Sequence, residues 1–189
     1  MLVALFCILR AGPAQGQYST GYKWGRTELD SIVSVRTPVR GEPLGVDPQN
    51  AWMQSFKAAS YFNRFLLIRM DLAALYLARG VRLDSASELH LNADKLLGPL
   101  VKDPFLEFRK PRLRQEYAVQ LPTAPGGYAA HRHYTGIDEI SNQPATMDIR
   151  WFDRNSVTYL FLCITLDAVT PQAGEEKQQF FNTIIIHEK

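Results

Sequence analysis

Cysteines are few in this sequence, and it lacks long apolar runs and an excess of one charge. Its 189 residues include two cysteines, Cys7 and Cys163, and 21 basic side chains stand against 19 acidic ones. Nucleic-acid-binding proteins usually carry a basic face, so this near balance argues against that class. A helix that crosses a bilayer needs about 20 apolar residues in a row, and the sequence has no such stretch. Neither a nucleic-acid partner nor a transmembrane span is predicted.

Catalytic motifs are also missing. The sequence contains no G-x-S-x-G elbow, no glycine-rich phosphate loop and no C-x-x-C pair. Nucleophilic catalysis needs a serine or cysteine held by a base and an oriented carboxylate. Cys163 lies within an apolar segment and is predicted to be a buried side chain rather than a reactive thiol. The sequence therefore favours a protein that is not an enzyme, and no cofactor is predicted.

The first sixteen residues are typical of an export signal. Met1 to Ile8 is almost wholly apolar, a Gly-Pro pair interrupts that run, and Ala14 to Gly16 offers small residues to a signal peptidase. We expect residues 1–16 to be removed, so that the mature chain begins at Gln17 in the periplasm or outside the cell. Because no Lys or Arg precedes the apolar run, the alternative is a buried N-terminal strand of a cytosolic protein. After cleavage only Cys163 would remain, which excludes an intramolecular disulfide.

An extended leader rich in Gly, Pro, Ser and Thr is expected at 17–47, followed by a single domain over 48–189. Asp47 and Pro48 form a helix start, and Gly80 forms the matching stop. Between them, side chains that are apolar except for Asn63 recur at alternating steps of four and three, as on the seam of a helix. The seam consists of Trp52, Phe56, Ala59, Asn63, Leu66, Met70, Ala73 and Leu77. The sequence therefore predicts a helix of roughly 30 residues.

A second, shorter helix is predicted from Asp84 or Ser85 to about Leu97, where a Gly-Pro pair would end it. Beyond residue 105 the pattern changes to the alternation typical of strands. One face of the first such strand is predicted to carry Leu113, Tyr117, Val119 and Leu121. This strand should be half exposed. The basic run at 109–114 indicates charges that protect a sheet edge, with phosphate binding as the alternative.

Two central strands are predicted near the end of the chain. Met147, Ile149 and Trp151 alternate with polar residues and should form a hairpin with the strand at 157–166. That strand and the segment at 180–186 are apolar on both faces, as expected of strands covered on each side. A solvated loop at 170–177 would join them. Together the patterns predict an α+β fold, in which one long N-terminal helix plus a shorter helix pack on a mainly antiparallel sheet.

His131 and His133 form the arrangement that suggests a metal site. Residues two apart on a strand point to the same side, so both imidazoles could reach one ion, with Asp138 or Glu139 as an oxygen ligand. Two histidines do not complete a site. The alternative is a pair of surface histidines in a polar segment.

Aromatic side chains suggest a surface for another protein, because aromatic residues are enriched in interfaces. The predicted patch consists of Tyr18, Tyr22, Trp24 and Trp52. The favoured function is an exported, non-catalytic binding or assembly protein of the periplasm or cell envelope. One alternative is a small-molecule or metal-binding protein, which would include enzymes, with a pocket near the two histidines. Another is an inhibitor or immunity protein.

Overall fold

Two antiparallel sheets form most of this protein in the computed structural model, which describes residues 23–38, 42–44, 52–78, 80, 93–121, 127–166 and 170–187. In these ranges the small sheet has three strands, in the order β1 (Gly25–Glu28), β2 (Val33–Thr37) and β10 (Ile185–Ile186). The large sheet has seven, in the order β3 (Glu42–Leu44), β4 (Met53–Ala59), β5 (Asn63–Asp71), β9 (Val157–Thr165), β8 (Pro144–Arg154), β7 (Tyr128–Asp138) and β6 (Phe108–Gln120). The described helices are α1 (Leu72–Ala78), α2 (Ala93–Leu100) and α3 (Pro171–Asn182), with a 3-10 turn at Pro104–Leu106.

The large sheet carries apolar residues on both of its faces. We call the side to which Tyr159 and Phe161 point the first face, and the small sheet and α3 cover it. The side to which Leu160 and Leu162 point is the second face, which α1, α2 and the 3-10 turn cover. Because layers lie on both sides, every residue of β9 is buried.

The predicted long N-terminal helix is wrong. Within that segment, β4 and β5 pair as antiparallel strands over 53–70, and the helix found among its described residues is α1. Ser60 stabilises the turn between the strands, because its hydroxyl accepts the N–H groups of Phe62 and Asn63 at 3.3 and 3.0 Å. The protein is therefore mainly β-sheet, not the predicted α+β fold with one long helix plus a shorter one.

The apolar run in β5 explains this error. Phe65 and Leu67 point to the first face, whereas Leu66 and Ile68 point to the second. A run that is apolar at consecutive positions fits a buried helix and a central strand equally well. The steps of four and three therefore did not distinguish between the two structures.

The segment near the end of the chain also differs from its prediction. Helix α3 replaces the solvated loop predicted at 170–177 and much of the strand predicted at 180–186. Pro171 occupies its first turn, where a missing N–H costs little. Its buried residues recur at helical spacing and are Ala173, Glu176, Phe180 and Phe181. Only the short β10 forms a strand here, and it pairs with β2 in the small sheet.

The predicted hairpin of β8 and β9 is confirmed. The two strands pair from Thr146 with Thr165 to Arg154 with Val157. Asn155 and Ser156 connect them with φ angles of 52° and 59°. Positive φ at both central positions is typical of the turn whose twist matches a hairpin.

Other predicted segments are described only in part. The second helix, expected to end near Leu97, continues to Leu100, and its expected beginning lies outside the described residues. Within the predicted leader, β1 and β2 pair with each other. Apolar side chains on and beside these two strands pack in the first-face core. The proposed export signal at 1–16 lies outside the described residues.

None of the helices in the described ranges combines the length and the apolar character that crossing a membrane requires.

Candidate functional site

A polar cluster lies between α3 and the first face of the large sheet, and we call it the Asp148 cluster. It consists of His131 and His133 on β7, Asp148 and Arg150 on β8, and Lys177 on α3. In the register of the two strands, His131 lies opposite Arg150 and His133 lies opposite Asp148. The pairing of neighbouring strands therefore assembles the cluster, and α3 closes it.

The Asp148 carboxylate accepts hydrogen bonds from three side chains. His131 Nε2 and His133 Nδ1 donate to Oδ1 at 3.0 and 2.9 Å, and Lys177 Nζ donates to Oδ2 at 2.8 Å. Burial by itself raises the pKa of Asp148, but the hydrogen bond from His131 and the charge and hydrogen bond of Lys177 outweigh it. The pKa of Asp148 therefore lies well below its usual range, and the carboxylate is ionised.

Arg150 determines which nitrogen of His131 carries the proton. Arg150 Nε donates to His131 Nδ1 at 3.3 Å, so Nδ1 is an acceptor and the proton is on Nε2. That form of the ring donates to Asp148. Aromatic rings enclose both side chains: Tyr117 lies 4.7 Å from the His131 ring, and the Arg150 guanidinium lies 4.4 Å from the centre of the Phe181 ring. This arrangement fixes the ring orientation of His131.

The two histidines predicted as metal ligands point to the same side of β7, as expected, and Asp148 lies beside them. Asp138 and Glu139, the predicted oxygen ligands, lie near the far end of β7 and pair with arginines there. Among the described residues, no group of three or more His, Cys, Asp or Glu side chains is arranged to hold a metal ion. A metal at His131 and His133 stays a prediction. In the structure, both histidines contact the Asp148 carboxylate, which joins α3 to the sheet.

Sequence reasoning missed Asp148 and Lys177. A usable signal existed for Asp148, because the alternation of Met147, Ile149 and Trp151 predicts β8. Pairing that strand with β7 would have brought Asp148 close to the histidines. Lys177 carried no such signal, since its segment was interpreted as a solvated loop.

Two of the aromatic residues predicted to form a partner surface lie on different faces. Trp24 packs on the first-face core, and its ring centre lies 6.3 Å from that of Phe65. Trp52 packs on the second-face core. The structure therefore does not bring Trp24 and Trp52 into one patch. Tyr18 and Tyr22 lie outside the described residues.

Two further carboxylates, Asp30 (partly buried) and Glu176 (buried), hold the covering layers on the first face. Asp30, between β1 and β2, accepts hydrogen bonds from Tyr159 Oη at 2.6 Å and Arg69 Nε at 2.9 Å. Burial raises the pKa of Asp30, but these donors outweigh it and the net shift is downward. On α3, Glu176 accepts a hydrogen bond from Asn63 Nδ2 at 3.0 Å. These two carboxylates are therefore held by contacts inside the chain.

Cys163 is buried, as the sequence predicts. Its Sγ atom lies 3.5 Å from Asn63 Oδ1 on the first face of β9. Burial raises the pKa of the Cys163 thiol well above its usual value. Since the thiolate is the reactive form, both the pKa and the burial argue against a reactive cysteine.

Strand β6 forms an exposed edge of the large sheet. It pairs with β7 on one side, and no described strand pairs with its other side. Of its thirteen residues, Phe108 is the buried one, while Leu113 and Tyr117 are 48% and 47% exposed. The prediction of an exposed, charged strand at this place is confirmed.

Two bulges divide β6. Lys110 and Pro111 together lie opposite Gly136, and Arg114 is an extra residue between two regular pairs. We call Arg109–Arg114 the basic half and Gln115–Gln120 the free edge. The second bulge also turns the strand over, so that Leu113 and Tyr117 point to opposite faces rather than to one face as predicted.

The comparisons with known proteins give no family for this chain. No protein-family model matches it, and no curated protein matches it. Among solved structures, it is similar to the crystal structure of a protein of unknown function, PA94 from Pseudomonas aeruginosa, with a TM-score of 0.42 and 13% identity. The similarity covers 89% of this chain and 100% of that chain. Function is therefore inferred from the sequence and the geometry of this chain.

Proposed function

We propose that this protein is an exported, non-catalytic binding protein that pairs with an extended segment of another protein along the free edge of β6. The observation that carries the proposal is a long strand whose outer edge has no described partner. A sheet edge presents unpaired N–H and C=O groups, and an extended peptide can bind to them as an added strand. At the opposite end of the large sheet, β3 has only three residues.

The two halves of β6 differ in their suitability for pairing. The basic half contains both bulges and Pro111, and such features protect an edge from unwanted pairing. The free edge pairs regularly with β7 from Gln115 to Gln120. Its single charged residue, Glu116, forms a salt bridge with Arg132 at 3.0 Å. Six regular residues are about the length of an ordinary strand.

Side chains near the free edge supply contact area and charge for a partner. Tyr117 is about half exposed, and its stacking on His131 holds the ring in place. The adjacent basic half has cationic side chains at Arg109, Lys110, Arg112 and Arg114. We therefore propose an acidic segment as the partner, because opposite charges favour association and orient it.

The contacts of three buried or partly buried carboxylates support a binding role rather than catalysis. The carboxylates of Asp30, Asp138 and Asp148 each accept hydrogen bonds from basic side chains, and the pKa of each lies below its usual value. Ionised carboxylates with their acceptor sites occupied are suited to holding the fold. Catalytic acids and bases instead need a pKa near the working pH.

Selection of displayed peptides on the purified chain tests the pairing. We expect the selected peptides to be extended, to alternate apolar residues and to contain Asp or Glu. Binding should weaken about tenfold or more in Tyr117→Ala, whereas Tyr61→Ala, which removes an exposed tyrosine elsewhere, should bind as the wild type does. Equal binding by wild type and Tyr117→Ala would contradict the proposed edge.

The export part of the proposal depends on the apolar segment Met1 to Ile8 and the small residues that follow it. Mass spectrometry of the protein isolated from its natural host tests it. A chain that begins at Gln17 in an envelope or extracellular fraction is expected. An intact Met1 in the soluble intracellular fraction would contradict export.

Metal binding at His131 and His133 is the second candidate function. It is favoured because both imidazole rings contact the same oxygen, Oδ1 of Asp148. The Lys177 ammonium opposes it, since a cation already lies 2.8 Å from Asp148. Metal analysis of the purified protein and of a His131→Ala/His133→Ala variant separates the two functions. Stoichiometric metal in the wild type that is lost in the variant would establish the metal site.

A further inference from the structure

A cleft of about 330 Å³ lies at the beginning of β6, and we call it the basic cleft. The 3-10 turn, the segment after α2 and the bulged part of β6 contribute to its walls. Its lining residues are Lys102, Pro104, Phe108, Arg109, Lys110, Pro111 and Glu139. No contact described above for the Asp148 cluster or the free edge involves this cleft.

The charges of the basic cleft are unbalanced. Lys102, Arg109 and Lys110 contribute three positive charges, and Glu139 contributes one negative charge. Arg109 and Glu139 lie 3.9 Å apart and are each about half exposed, so their pairing is weak. Within the part of the chain that the structure describes, the side-chain ammonium groups of Lys102 and Lys110 form no hydrogen bond or ion pair. The cleft therefore has a net charge of +2 and two available ammonium groups.

The backbone around the cleft is held in an unusual shape. Lys110 has a φ of 52°, in the left-handed region that few side chains adopt. Gly136 lies opposite the bulge, and a Cβ atom there would be only 2.5 Å from the Phe108 ring and 2.7 Å from the Arg109 carbonyl oxygen. Glycine at this position lets β7 approach Phe108 and Arg109, two of the residues that line the cleft. Strained backbone of this kind occurs often at ligand-binding sites.

Edge protection accounts for only part of this arrangement. A bulge, a proline and cationic side chains on β6 are expected of a protected edge. Lys102 is not on β6, because it lies in the turn after α2, and it nevertheless lines the same cleft. Cations from two separate parts of the chain thus converge on one cavity.

We propose that the basic cleft binds a phosphate monoester. A phosphate monoester carries a charge between about −1.5 and −2 at pH 7, which matches the net charge of the cleft, whereas one carboxylate would leave positive charge uncompensated. Lysine and arginine are the side chains that bind phosphate oxygens in proteins. Phe108, Pro104 and Pro111 add an apolar wall, and the volume leaves room for an organic part of about the size of glycerol or a sugar.

Titration of the purified chain with glycerol 3-phosphate at constant ionic strength tests the site. We expect saturable binding with a Kd of about 1 mM or lower. NMR shifts should concentrate at residues 102–111 and 136–139. The double variant Lys102→Met/Lys110→Met should weaken binding about tenfold or more, because it removes both available ammonium groups. Lys23→Met, an exposed lysine before β1, is the matched control and should bind as the wild type does.

A second arm distinguishes a soluble ester from a lipid headgroup. Vesicles of phosphatidylcholine with and without phosphatidic acid present the same phosphate monoester at a surface. Binding to glycerol 3-phosphate, lost in the double variant, identifies a soluble ligand. Binding only to vesicles with phosphatidic acid, again lost in the double variant, identifies a lipid. Absence of binding in both arms, or equal weakening by Lys23→Met, would overturn the proposal. Neither result depends on peptide pairing at the free edge.

Discussion

Strands β9 and β6 belong to the same antiparallel sheet but have opposite surroundings. All nine residues of β9 are buried between two covering layers, whereas β6 has one buried residue, Phe108. The sheet therefore continues past the layers that stabilise it. Because exposed strands contribute little to a core, we propose that β6 serves binding rather than stability. The following predictions test this contrast in order of expected effect.

The largest loss of stability should come from the buried strand. Phe161 is completely buried and its ring stacks on Phe152 with a centre-to-centre distance of 6.0 Å. We expect Phe161→Ala to lower the free energy of unfolding by about 3–5 kcal/mol. Denaturant unfolding measures this change. A loss below about 1 kcal/mol would contradict the position of β9 at the centre of the core.

Asp148→Asn should lower stability by about 2–3 kcal/mol at neutral pH, because it removes a buried charge that three donors stabilise. The pKa of Asp148 is lower in the folded chain than in the unfolded chain. Its ionisation therefore stabilises the fold above about pH 4, the ordinary value for aspartate, and this contribution is lost as the pH falls through the folded-state pKa.

The pH dependence provides the matched test for this variant. Unfolding curves recorded from neutral pH downwards should fall less steeply for Asp148→Asn than for the wild type. Asp30 and Asp138 also have lowered pKa values, but they are present in both chains. Parallel curves for the two proteins would show that Asp148 is not held ionised by its neighbours.

Gly136→Ala should lower stability by about 1–3 kcal/mol, because the added methyl group would overlap the Phe108 ring and the Arg109 carbonyl oxygen. Gly174→Ala is a suitable control: nothing lies within 4 Å of the added atom, and alanine favours helix α3 by about 1 kcal/mol. Thermal unfolding of both variants measures the difference. Equal stability of the two variants would contradict the close approach of β6 and β7.

The smallest effect on stability is expected for the exposed strand. Tyr117→Ala should lower the free energy of unfolding by less than about 1 kcal/mol, since the side chain is half exposed and mainly loses its stacking on His131. The same variant should lose peptide binding. If its stability fell as far as that of Phe161→Ala, β6 would belong to the core, and the difference drawn here between β6 and β9 would be wrong.

Local sequence patterns predicted the parts of the fold in which the spacing of apolar residues and the turn-forming residues indicate the same structure. The alternation at 147–151 and the turn residues before Val157 were sufficient for the β8 and β9 hairpin. The charges at 109–114 were sufficient for an exposed edge. By contrast, β5 is apolar on both faces, and only its pairing with β4 and β9 determines that it is a strand.

The candidate site could be predicted only in part for a related reason. The spacing of His131 and His133 places them on one side of a strand, and the structure agrees. Asp148 reaches them through the register between strands, and Lys177 through the packing of a helix. Both depend on contacts between distant parts of the chain, which spacing within one segment does not contain.

Hydrogen exchange of the β6 amides, measured by NMR with and without a selected acidic peptide, tests the central claim most directly. Added strands bond to alternate residues, so the account predicts slowed exchange at every second amide between Gln115 and Gln120, with little change in β9. Unchanged exchange along β6 while the peptide is bound would contradict it, because the peptide would then occupy another surface.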